Sequence, residues 1–400
     1  MKSKKLMLLG GSRYLIPVMK AAREHGAQVI TCDYLPNNYA HKFSDEYCNI
    51  SIVDKEAVLA AAMRLKIDGI MSFACDPGVV TAAYVQEKMN LPGNPFHSVC
   101  ILQQKDLFRD FLTRHNFNVP KFTGGNSFRD ILAKIQDFKW PLIVKPVDSA
   151  GSKGVTVITF PEQLKQAFDN AMQYSIGKRV VVEEFIEKQG CSSDSDCFSI
   201  DGKLAFVSYS AQRFDEKSAN PYAPAAFSWP STMTKEQEST LRSELQRLLD
   251  LLHMRTSIYN VEARVGLDGK IYIMEVSPRG GGNRLAEMVK FATGADMIDA
   301  AVAAALGEDP KICQREYCGY WAEVILHSKK AGKFVSIELC EAIKPYVHEL
   351  DLWATKGMVI DEFRNASQSL GTMVLKFPNP GLMEDAICRA SELYEIIVEE

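Results

Sequence analysis

Residues 257–284 read SIYNVEARVGLDGKIYIMEVSPRGGGNR, and this stretch is the best guide to the fold. Two runs rich in strand-forming residues flank the dipeptide Asp268-Gly269, which is strongly favoured in two-residue hairpin turns. We therefore expect Leu267 to pair with Lys270 and the two runs to form an antiparallel hairpin. Because side chains alternate between the faces of a strand, this register predicts which residues lie opposite each other.

The predicted register brings two glutamates together. Glu262 lies directly across from Glu275, with Cβ atoms about 5 Å apart on one face of the sheet. The same register places Asn260 across from Ser277, which adds oxygen atoms near the carboxylates. Like charges so placed destabilise a sheet unless a cation lies between them, and oxygen ligands favour a hard cation such as Mg²⁺. The alternative is a solvent-facing hairpin with two hydrated glutamates.

The segment that follows favours the metal site. Residues 278–284 supply three consecutive glycines together with Arg279 and Arg284. Guanidinium groups match the geometry of phosphate and carboxylate groups, and a glycine-rich backbone can approach a ligand closely. Carboxylates, arginines and glycines that converge in one segment indicate a binding site.

A second candidate site lies upstream. Lys145 interrupts the apolar segment PLIVKP at residues 141–146, which predicts a buried strand, and a glycine-rich loop follows at residues 148–154. A lysine on a buried strand needs an anionic partner, because burying its charge alone is costly. The loop can approach phosphates and move as a lid, although it lacks the GxxxxGK[ST] order of a Walker loop. A tight turn with a surface lysine is the alternative.

The N-terminal part alternates short apolar runs with helical patterns. Runs at residues 6–9, 28–32 and 69–73 predict parallel strands of a doubly wound sheet. Gly10-Gly11-Ser12 follows the first run, where backbone N–H groups can face an anion, but the loop at residues 10–14 lacks GxGxxG and a tight turn alone would also explain its glycines. Asp76, after the third strand, lies where ligands bind in open α/β sheets, or caps a helix.

Further along, residues 98–115 predict one helix and residues 235–253 predict an amphipathic helix. Residues 211–234 are rich in Pro, Ser and aromatic side chains, which predicts a long ordered loop.

Composition excludes several classes of protein. The chain has 46 Lys+Arg against 50 Asp+Glu, so it lacks the basic excess of a nucleic-acid groove or a polybasic membrane surface. Its 10 cysteines include no CxxC pair, and no apolar run has the length of a signal-peptide core or a membrane span. We expect a cytoplasmic protein with reduced thiols that binds neither nucleic acid nor membrane.

These segments occur in the order typical of one superfamily. The chain resembles the ATP-grasp superfamily, in particular the branch with biotin carboxylase, carbamoyl-phosphate synthetase and the purine-pathway glycinamide ligases. The resemblance covers nearly the whole chain. It rests on QQKDLFRDFL, PLIVKPVDSAGSKGV, VVVEEFIE, two DGK hairpins, YNVEARV and IMEVSPRGGG.

The resemblance implies a mixed α/β and α+β fold with three domains. These are an N-terminal doubly wound parallel-sheet domain at residues 1–97, a two-lobed ATP-grasp domain at residues 98–305 and a small C-terminal α+β domain at residues 306–400. The loop at residues 148–154 would be the lid of the central domain.

The resemblance also implies a nucleotide site. Lys105 and Lys145 would contact the phosphates of ATP under the lid, and the carbonyl of Glu184 and the N–H of Ile186 would meet the adenine edge. The full set is Lys105, Lys145, Ser149, Gly151, Ser152, Lys153, Gly154, Glu183, Glu184, Phe185 and Ile186.

The metal and the transferred phosphate have implied positions too. Glu262 and Glu275 would bridge Mg²⁺ (or Mn²⁺), with a third contact from Ser277, where the family usually has Asn. Arg279 would hold the transferred phosphate. We expect Arg284 to bind a second substrate carboxylate, or else to brace a loop.

Two further positions depart from the family pattern. Residues 191–193 read Cys-Ser-Ser where the ribose-binding acid is expected. Asn283 stands where biotin carboxylase has the acid that deprotonates bicarbonate, which argues against bicarbonate chemistry.

The implied activity is ATP-dependent ligation of a small-molecule carboxylate to an amine through an acyl phosphate, by a homodimer. Two alternatives stay open. A purine-biosynthesis ligase for phosphoribosylglycinamide or carboxyaminoimidazole ribotide predicts a phosphate-binding cluster near residues 10–14, where Arg13 is the one cation. A non-catalytic ATP-binding sensor would not need the complete transfer apparatus.

Overall fold

The computed structural model describes residues 3–399, and its first layer is a parallel sheet. Residues 1, 2 and 400, at the ends of the predicted terminal domains, lie outside the described residues. The sheet has the order β3-β2-β1-β4. Its strands and helices are β1 (Lys5–Leu9), α1 (Ile16–Glu24), β2 (Gln28–Cys32), β3 (Glu46–Cys48), α2 (Lys55–Leu65), β4 (Gly69–Ser72) and α3 (Val79–Lys88).

Two helices lead out of this layer, α4 (Phe96–Gln103) and α5 (Lys105–Arg114). The prediction of one helix over residues 98–115 is wrong, because Gln104 has an extended backbone with φ −115° and ψ 109°. The N–H of Lys105 instead donates to the carbonyl of Val147 at 2.9 Å. The first N–H groups of a helix have no partner within the helix, and this tertiary hydrogen bond supplies one for Lys105. The extended backbone at Gln104 makes Lys105 the first residue of α5.

The first lobe is a four-stranded antiparallel sheet with the order β5-β8-β6-β7. Strand β6 carries Lys145 one residue before its end, opposite the apolar Val181 of β8. The elements are β5 (Phe122–Gly125), α6 (Phe128–Lys134), β6 (Leu142–Pro146), β7 (Thr156–Ile158), α7 (Leu164–Tyr174) and β8 (Val180–Glu184).

The second lobe is an antiparallel sheet with the order β10-β9-β13-β14, backed by the predicted amphipathic helix. The elements are β9 (Ser193–Ile200), β10 (Lys203–Val207), β11 (Ala211–Phe214), β12 (Pro224–Trp229), α8 (Lys235–Leu251), β13 (Ser257–Val265) and β14 (Ile271–Ser277). The prediction of one long loop at residues 211–234 is therefore wrong in part, since residues 211–214 form β11 and residues 224–229 form β12. The apolar side chains of this segment are buried by strand pairing with distant sequence, which local composition does not reveal.

The C-terminal part completes two more sheets. Strands β11 and β12 join it in a five-stranded sheet of order β11-β12-β15-β19-β17, and β18-β16-β20 form a three-stranded sheet. The elements are α9 (Leu285–Thr293), α10 (Met297–Ala305), β15 (Tyr320–Leu326), β16 (Gly332–Leu339), β17 (Val347–Leu352), β18 (Val359–Ile360), β19 (Gly371–Phe377), α11 (Pro380–Ile387) and β20 (Tyr394–Glu399). One sheet thus holds strands from both sides of the predicted boundary at residue 305.

Apolar packing connects these layers. Helices α1 and α10 cover one face of the parallel sheet, and α2 and α3 cover the other. The mixed α/β prediction with one parallel and several antiparallel sheets is confirmed, whereas the domain limits stay predictions. Within residues 3–399, no helix is both long enough and apolar enough to cross a bilayer.

Candidate active site

A cavity of about 510 Å³ lies where the carboxyl ends of the parallel strands meet the two lobes. It collects most of the residues that the sequence singled out. Those that line it are Lys105, Lys145, Ser149, Gly151, Ser152, Lys153, Glu262, Glu275 and Arg279. Absent from its lining are Gly154, Ser277, Arg284 and residues 183–186.

The β13–β14 hairpin has the predicted register at its functional end. Glu262 lies opposite Glu275, and Asn260 lies opposite Ser277. The predicted turn is wrong, however, because the N–H of Gly266 bonds to the carbonyl of Lys270 at 2.9 Å around a three-residue loop. Gly269 closes that loop with φ +75°, a left-handed conformation that suits glycine.

A β-bulge restores the predicted register. The pairing shifts by one residue between Glu262 and Ala263, so Met274 is the extra residue on β14. The carbonyl of Met274 accepts a hydrogen bond from Nη1 of the buried Arg109 at 2.9 Å. Arg109, which lies on α5, therefore stabilises the bulge. The three-residue loop and the bulge each shift the predicted pairing by one residue, and the two shifts cancel where Glu262 lies opposite Glu275.

Strand β9 adds two carboxylates to this face of the sheet. Asp194 lies opposite Glu262, and Asp196 lies opposite Asn260. Nδ2 of Asn260 donates to Oδ1 of Asp194 at 2.7 Å, and the N–H of Gly281 donates to Oδ1 of Asp196 at 2.9 Å. Neither aspartate was predicted from the sequence, although the alternation of Ser and Asp over residues 193–196 places them on one strand face.

The result is an excess of negative charge, which we call the acidic wall (Asp194, Asp196, Glu262 and Glu275). Burial and the charge of Glu262 raise the pKa of Asp194 to about 8. Burial raises the pKa of Asp196 to about 7, against the opposing effect of Arg279. Carboxylates that resist ionisation in this way attract a cation.

The donors of the acidic wall fit Mg²⁺, which prefers carboxylate and other oxygen ligands. Over residues 3–399, no three His, Cys, Asp or Glu side chains converge closely enough to hold a metal ion by themselves. An ion bound by Glu262 and Glu275 would therefore take its remaining ligands from phosphate and water, as is usual for Mg²⁺.

The first lobe and helix α5 together provide the opposite charge, which we call the basic wall (Lys105, Arg109, Lys145 and their partner Glu183). Nζ of Lys145 lies 2.8 Å from Oε2 of Glu183, and Nε of Arg109 lies 2.8 Å from Oε1. Burial acts to raise the pKa of Glu183, but Arg109 and Lys145 outweigh it and lower that pKa to about 2. The anionic partner predicted for Lys145 is thus Glu183, and Arg109 is a partner that the sequence analysis missed.

Lys105 links the two walls and the glycine loop. Its Nζ lies 3.2 Å from Oε2 of Glu275 and donates to the carbonyl of Ser149 at 3.1 Å. Further along the loop, Oγ of Ser152 donates to the carbonyl of Tyr222 at 3.1 Å. The loop therefore lies over Lys105.

Gly154 has a packing role. A Cβ atom at this position would lie 2.9 Å from Cδ2 of Tyr174 and 3.0 Å from Cγ of Pro146, and its φ is +72°. Only glycine fits without displacing these neighbours, so Gly154 fixes the end of the loop beside the cavity.

The segment after β8 connects the lobes. The N–H of Phe185 donates to the carbonyl of Pro141 at 3.0 Å, and the N–H of Gln189 donates to the carbonyl of Val265 at 2.8 Å. Oε1 of Glu184 accepts from the N–H of Lys139 at 2.8 Å. The N–H of Ile186 has no acceptor among residues 3–399.

Arg279 is held by the N-terminal layer. Its Nε and Nη2 lie 2.8 and 2.7 Å from the two carboxylate oxygens of Asp76, and its Nη1 donates to Oδ1 of Asn260 at 3.1 Å. Oγ of Ser277 donates to Oδ1 of Asp76 at 2.8 Å and accepts from Gln103 at 2.9 Å. Asp76 thus lies in the crevice as expected, and the hydroxyl of Ser277 already has two partners.

Arg284 faces the C-terminal sheet. Its Nη1 donates to Oε1 of Glu349 at 2.8 Å, and its Nη2 donates to Oε1 of Glu287 at 3.0 Å. These carboxylates bind its guanidinium, as expected if Arg284 braces a loop.

With this geometry established, the chain can be compared with known proteins. Residues 138–287 match the family model of the ATP-grasp domain. The chain carries an ATP-grasp domain. The matched segment runs from just before β6 into α9, so it contains Lys145, the glycine loop, the acidic wall and Arg279.

A comparison with individual proteins covers a larger part of the chain than the family model does. The carbamoyl phosphate synthase large chain of Thermotoga neapolitana is 25% identical over 236 residues, which are 59% of this chain and 21% of that one. This chain therefore spans about a fifth of the length of that relative. Because the match covers so small a part of that relative, it supports the ATP-grasp domain and does not assign the activity of the whole relative to this chain.

Two solved structures share the complete architecture. The L-amino acid ligase from Bacillus licheniformis superposes with a TM-score of 0.80 at 20% identity, and phosphoribosylglycinamide synthetase from Anaerococcus prevotii with a TM-score of 0.76 at 20% identity. Each alignment covers 100% of both chains. The layers on either side of the ATP-grasp domain are thus part of a recurrent fold.

Proposed function

We propose that the protein is an ATP-dependent ligase that joins a small-molecule carboxylate to an amine and releases ADP and phosphate. One observation carries the proposal: a basic wall and an acidic wall face one cavity in an ATP-grasp domain. Transfer of a phosphoryl group requires positioning and charge stabilisation rather than a nucleophilic side chain, and this arrangement supplies both.

The nucleotide would lie between the lobes. Lys105 and Lys145 would bind its phosphates under the loop at residues 148–154, because both ammonium groups line the cavity at the base of that loop. The N–H of Ile186 would bind the adenine edge, since it is a donor without an acceptor among the described residues.

Glu262 and Glu275 would hold Mg²⁺ or Mn²⁺, with Ser277 contributing through water. The ion would neutralise phosphate oxygens and so supply charge stabilisation during transfer. Its charge would also relieve the repulsion among the carboxylates of the acidic wall.

The first step forms a bond between a substrate carboxylate oxygen and the γ-phosphorus of ATP, while the bond to the bridging oxygen breaks and ADP leaves. The amine then attacks the acyl carbon, the bond to the phosphate oxygen breaks, and the amine loses a proton. Arg279 would bind the transferred phosphate, and the two hydrogen bonds that its guanidinium donates to Asp76 would keep it in the plane required.

The purine-type alternative receives less support from the site. The guanidinium carbon of Arg13 lies 3.6 Å above the ring of Tyr39, where the cation is already engaged. Of residues 10–14, only Tyr14 lines the cavity. A phosphate-binding cluster for a ribose phosphate is not assembled there.

The test is release of ADP and phosphate from Mg²⁺-ATP across a panel of acids paired with amines, including glycinamide precursors. We expect release that requires one acid and one amine and that is lost in Glu275→Gln. Release with a ribose phosphate substrate would favour the purine alternative. Tight ATP binding without release for any pair would contradict the proposal and favour the sensor.

A further inference from the structure

The cavity contains an arginine that the proposed reaction does not use. Arg264 on β13 lines the cavity, and its side chain is 14% exposed. Its Nε is buried and has no hydrogen-bond partner among residues 3–399. Its one carboxylate contact within those residues is long, because Nη2 lies 3.5 Å from Oε1 of Glu262. A largely buried guanidinium with so little compensation is costly, so this part of the cavity favours an anion.

The two arginines that follow β14 are paired more closely. Nη2 of Arg279 lies 2.7 Å from Oδ2 of Asp76, and Nη1 of Arg284 lies 2.8 Å from Oε1 of Glu349. Arg264 has no contact as short as these with a carboxylate of residues 3–399. Its guanidinium therefore has the capacity to bind a ligand that enters the cavity.

Strand geometry places Arg264 in a row with residues of known position in the site. Asn260, Glu262 and Arg264 are every second residue of β13, and all three line the cavity. Side chains at this spacing share one face of the sheet, and each step of two residues covers about 6.5 Å. Oδ1 of Asn260 accepts from Arg279, which would hold the transferred phosphate. The row therefore runs from the transferred phosphate, past the metal ligand, to Arg264.

The far end of this row adjoins the segment that would bind the adenine. The guanidinium carbon of Arg264 lies 5.9 Å from the centre of the Phe185 ring, and Phe185 precedes Ile186. Two residues beyond Arg264, Gly266 pairs with Lys188 of the same segment. Arg264 thus lies between the metal ligand and the adenine-binding segment, where a nucleotide has its α-phosphate and ribose.

The neighbouring charges favour the phosphate over the ribose. Lys145 lines the same cavity from the first lobe. Burial lowers the pKa of Lys145 against the effect of Glu183, and the charge of Arg264 adds to this lowering. Burial also lowers the pKa of Lys188, and Arg264 contributes there as well. Three cations act on one another at this end of the cavity, and a phosphate would balance them whereas neutral hydroxyls would not.

We propose that Arg264 binds the α-phosphate of the nucleotide. The inference rests on the proposed ATP-dependent function. Guanidinium groups suit phosphate oxygens, and the other phosphates remain with Lys105, Lys145 and the metal ion. Because the α-phosphate does not react and stays on ADP, Arg264 should contribute to nucleotide affinity rather than to the rate of transfer.

The test compares ligands that carry the α-phosphate with one that lacks it. ATP, ADP and AMP carry it, and adenosine does not. Calorimetry measures ATP and ADP with Mg²⁺. Competition against ADP measures AMP and adenosine without metal ion, so that a change at Glu262 does not alter the result through the metal.

Arg264→Met keeps the apolar stem of the side chain and removes the guanidinium. We expect the affinities for AMP, ADP and ATP to fall about 10-fold to 100-fold, as for loss of a hydrogen bond to a charged group, with an unchanged affinity for adenosine. Arg264→Lys, which keeps the charge and loses the planar fork, should show a smaller loss. The matched control is Arg129→Met, an exposed arginine on α6, which should behave as the wild type.

Several results would overturn the inference. A loss confined to ADP and ATP would place the β-phosphate at Arg264, and an equal loss for adenosine would place the base or the ribose there. Unchanged affinity for AMP in a folded Arg264→Met protein would leave Arg264 only the role of balancing Glu262. If Arg264→Met does not fold, Arg264→Lys provides the same comparison of AMP with adenosine.

The outcome is separate from that of the ligase proposal. The binding measurements need no acid or amine. A protein that binds nucleotides through Arg264 but releases no ADP with any acid and amine would overturn the ligase function and leave the assignment of Arg264 intact. Release of ADP with unchanged AMP affinity in Arg264→Met would do the reverse.

Discussion

Glu183 in the basic wall and Asp194 in the acidic wall differ in how burial affects them. Burial acts to raise the pKa of both carboxyl groups. The two cations beside Glu183 reverse that effect and lower its pKa to about 2, whereas Glu262 reinforces it and the pKa of Asp194 rises to about 8. The balance of neighbouring charges, rather than burial, decides which form of each group is stable.

The comparison explains how one cavity can suit both halves of a metal-nucleotide complex. The basic wall has more cations than carboxylates and favours phosphate. The acidic wall has more carboxylates than cations and favours a metal ion. Each wall is unfavourable without its ligand, because unbalanced charge in a region of low dielectric constant is costly.

Loss of a metal ligand from the acidic wall should have the largest effect. Glu275→Gln should lower acid-dependent ADP release by about a thousandfold or more, because charge stabilisation of the transferred phosphoryl group is the main source of catalysis. The measurement is steady-state ADP release, with Glu395→Gln as the control. Activity within tenfold of the wild type would show that the acidic wall does not hold the metal.

The basic wall should respond in stability instead. Glu183→Gln leaves Arg109 and Lys145 without their carboxylate and should lower the free energy of unfolding by about 3 kcal/mol at pH 7, measured by urea denaturation. Because the folded pKa is about 2 and the ordinary value is 4.5, this stabilisation is complete above pH 4.5 and is lost as the pH falls towards 2. An equal difference between the two proteins at pH 7 and pH 3 would contradict the assignment.

A cation of the basic wall should affect nucleotide binding. Lys145→Met should weaken ATP binding about 10-fold to 100-fold, measured by calorimetry, because one charged hydrogen bond to phosphate is lost. Lys203→Met, which changes an exposed lysine on β10, is the control. Unchanged affinity for ATP would place the phosphates elsewhere.

The smallest effect should have the opposite sign. Asp194→Asn removes a buried carboxyl group whose ionisation is opposed by burial and by Glu262, so the free energy of unfolding without ligand should rise by up to about 1 kcal/mol at pH 7. Thermal unfolding in the presence of a metal chelator measures it. A loss of stability would mean that Asp194 already has a cation partner in the ligand-free protein.

Much of the site could be predicted from sequence because it depends on local periodicity. The opposition of Glu262 and Glu275 follows from strand alternation. It was predicted correctly although the two-residue turn was wrong, because the bulge at Met274 compensates for the longer loop. The need of Lys145 for an anion follows from its apolar neighbours in one strand. These inferences use interactions within a few residues of the chain.

The rest depends on contacts between distant segments. The partner of Arg279 is Asp76, about two hundred positions away, and the partner of Arg284 is Glu349 on a different sheet. Residues 224–229 form a strand that pairs with β15, although the composition of residues 211–234 favours a loop. No local pattern carries that information, since hydrogen bonds to distant strands outweigh local propensity.

By itself, the sequence determined the class of the fold, the carboxylate pair and the lysine strand, because side-chain period and the cost of burying charge act locally. Only the tertiary structure decided which charges balance. It brought Arg109 to Glu183, set Asp194 and Asp196 beside the glutamates, and left the carboxylate of Glu323 without a hydrogen-bond partner among residues 3–399. Electrostatic interactions depend on distance in space, and the folded chain alone sets those distances.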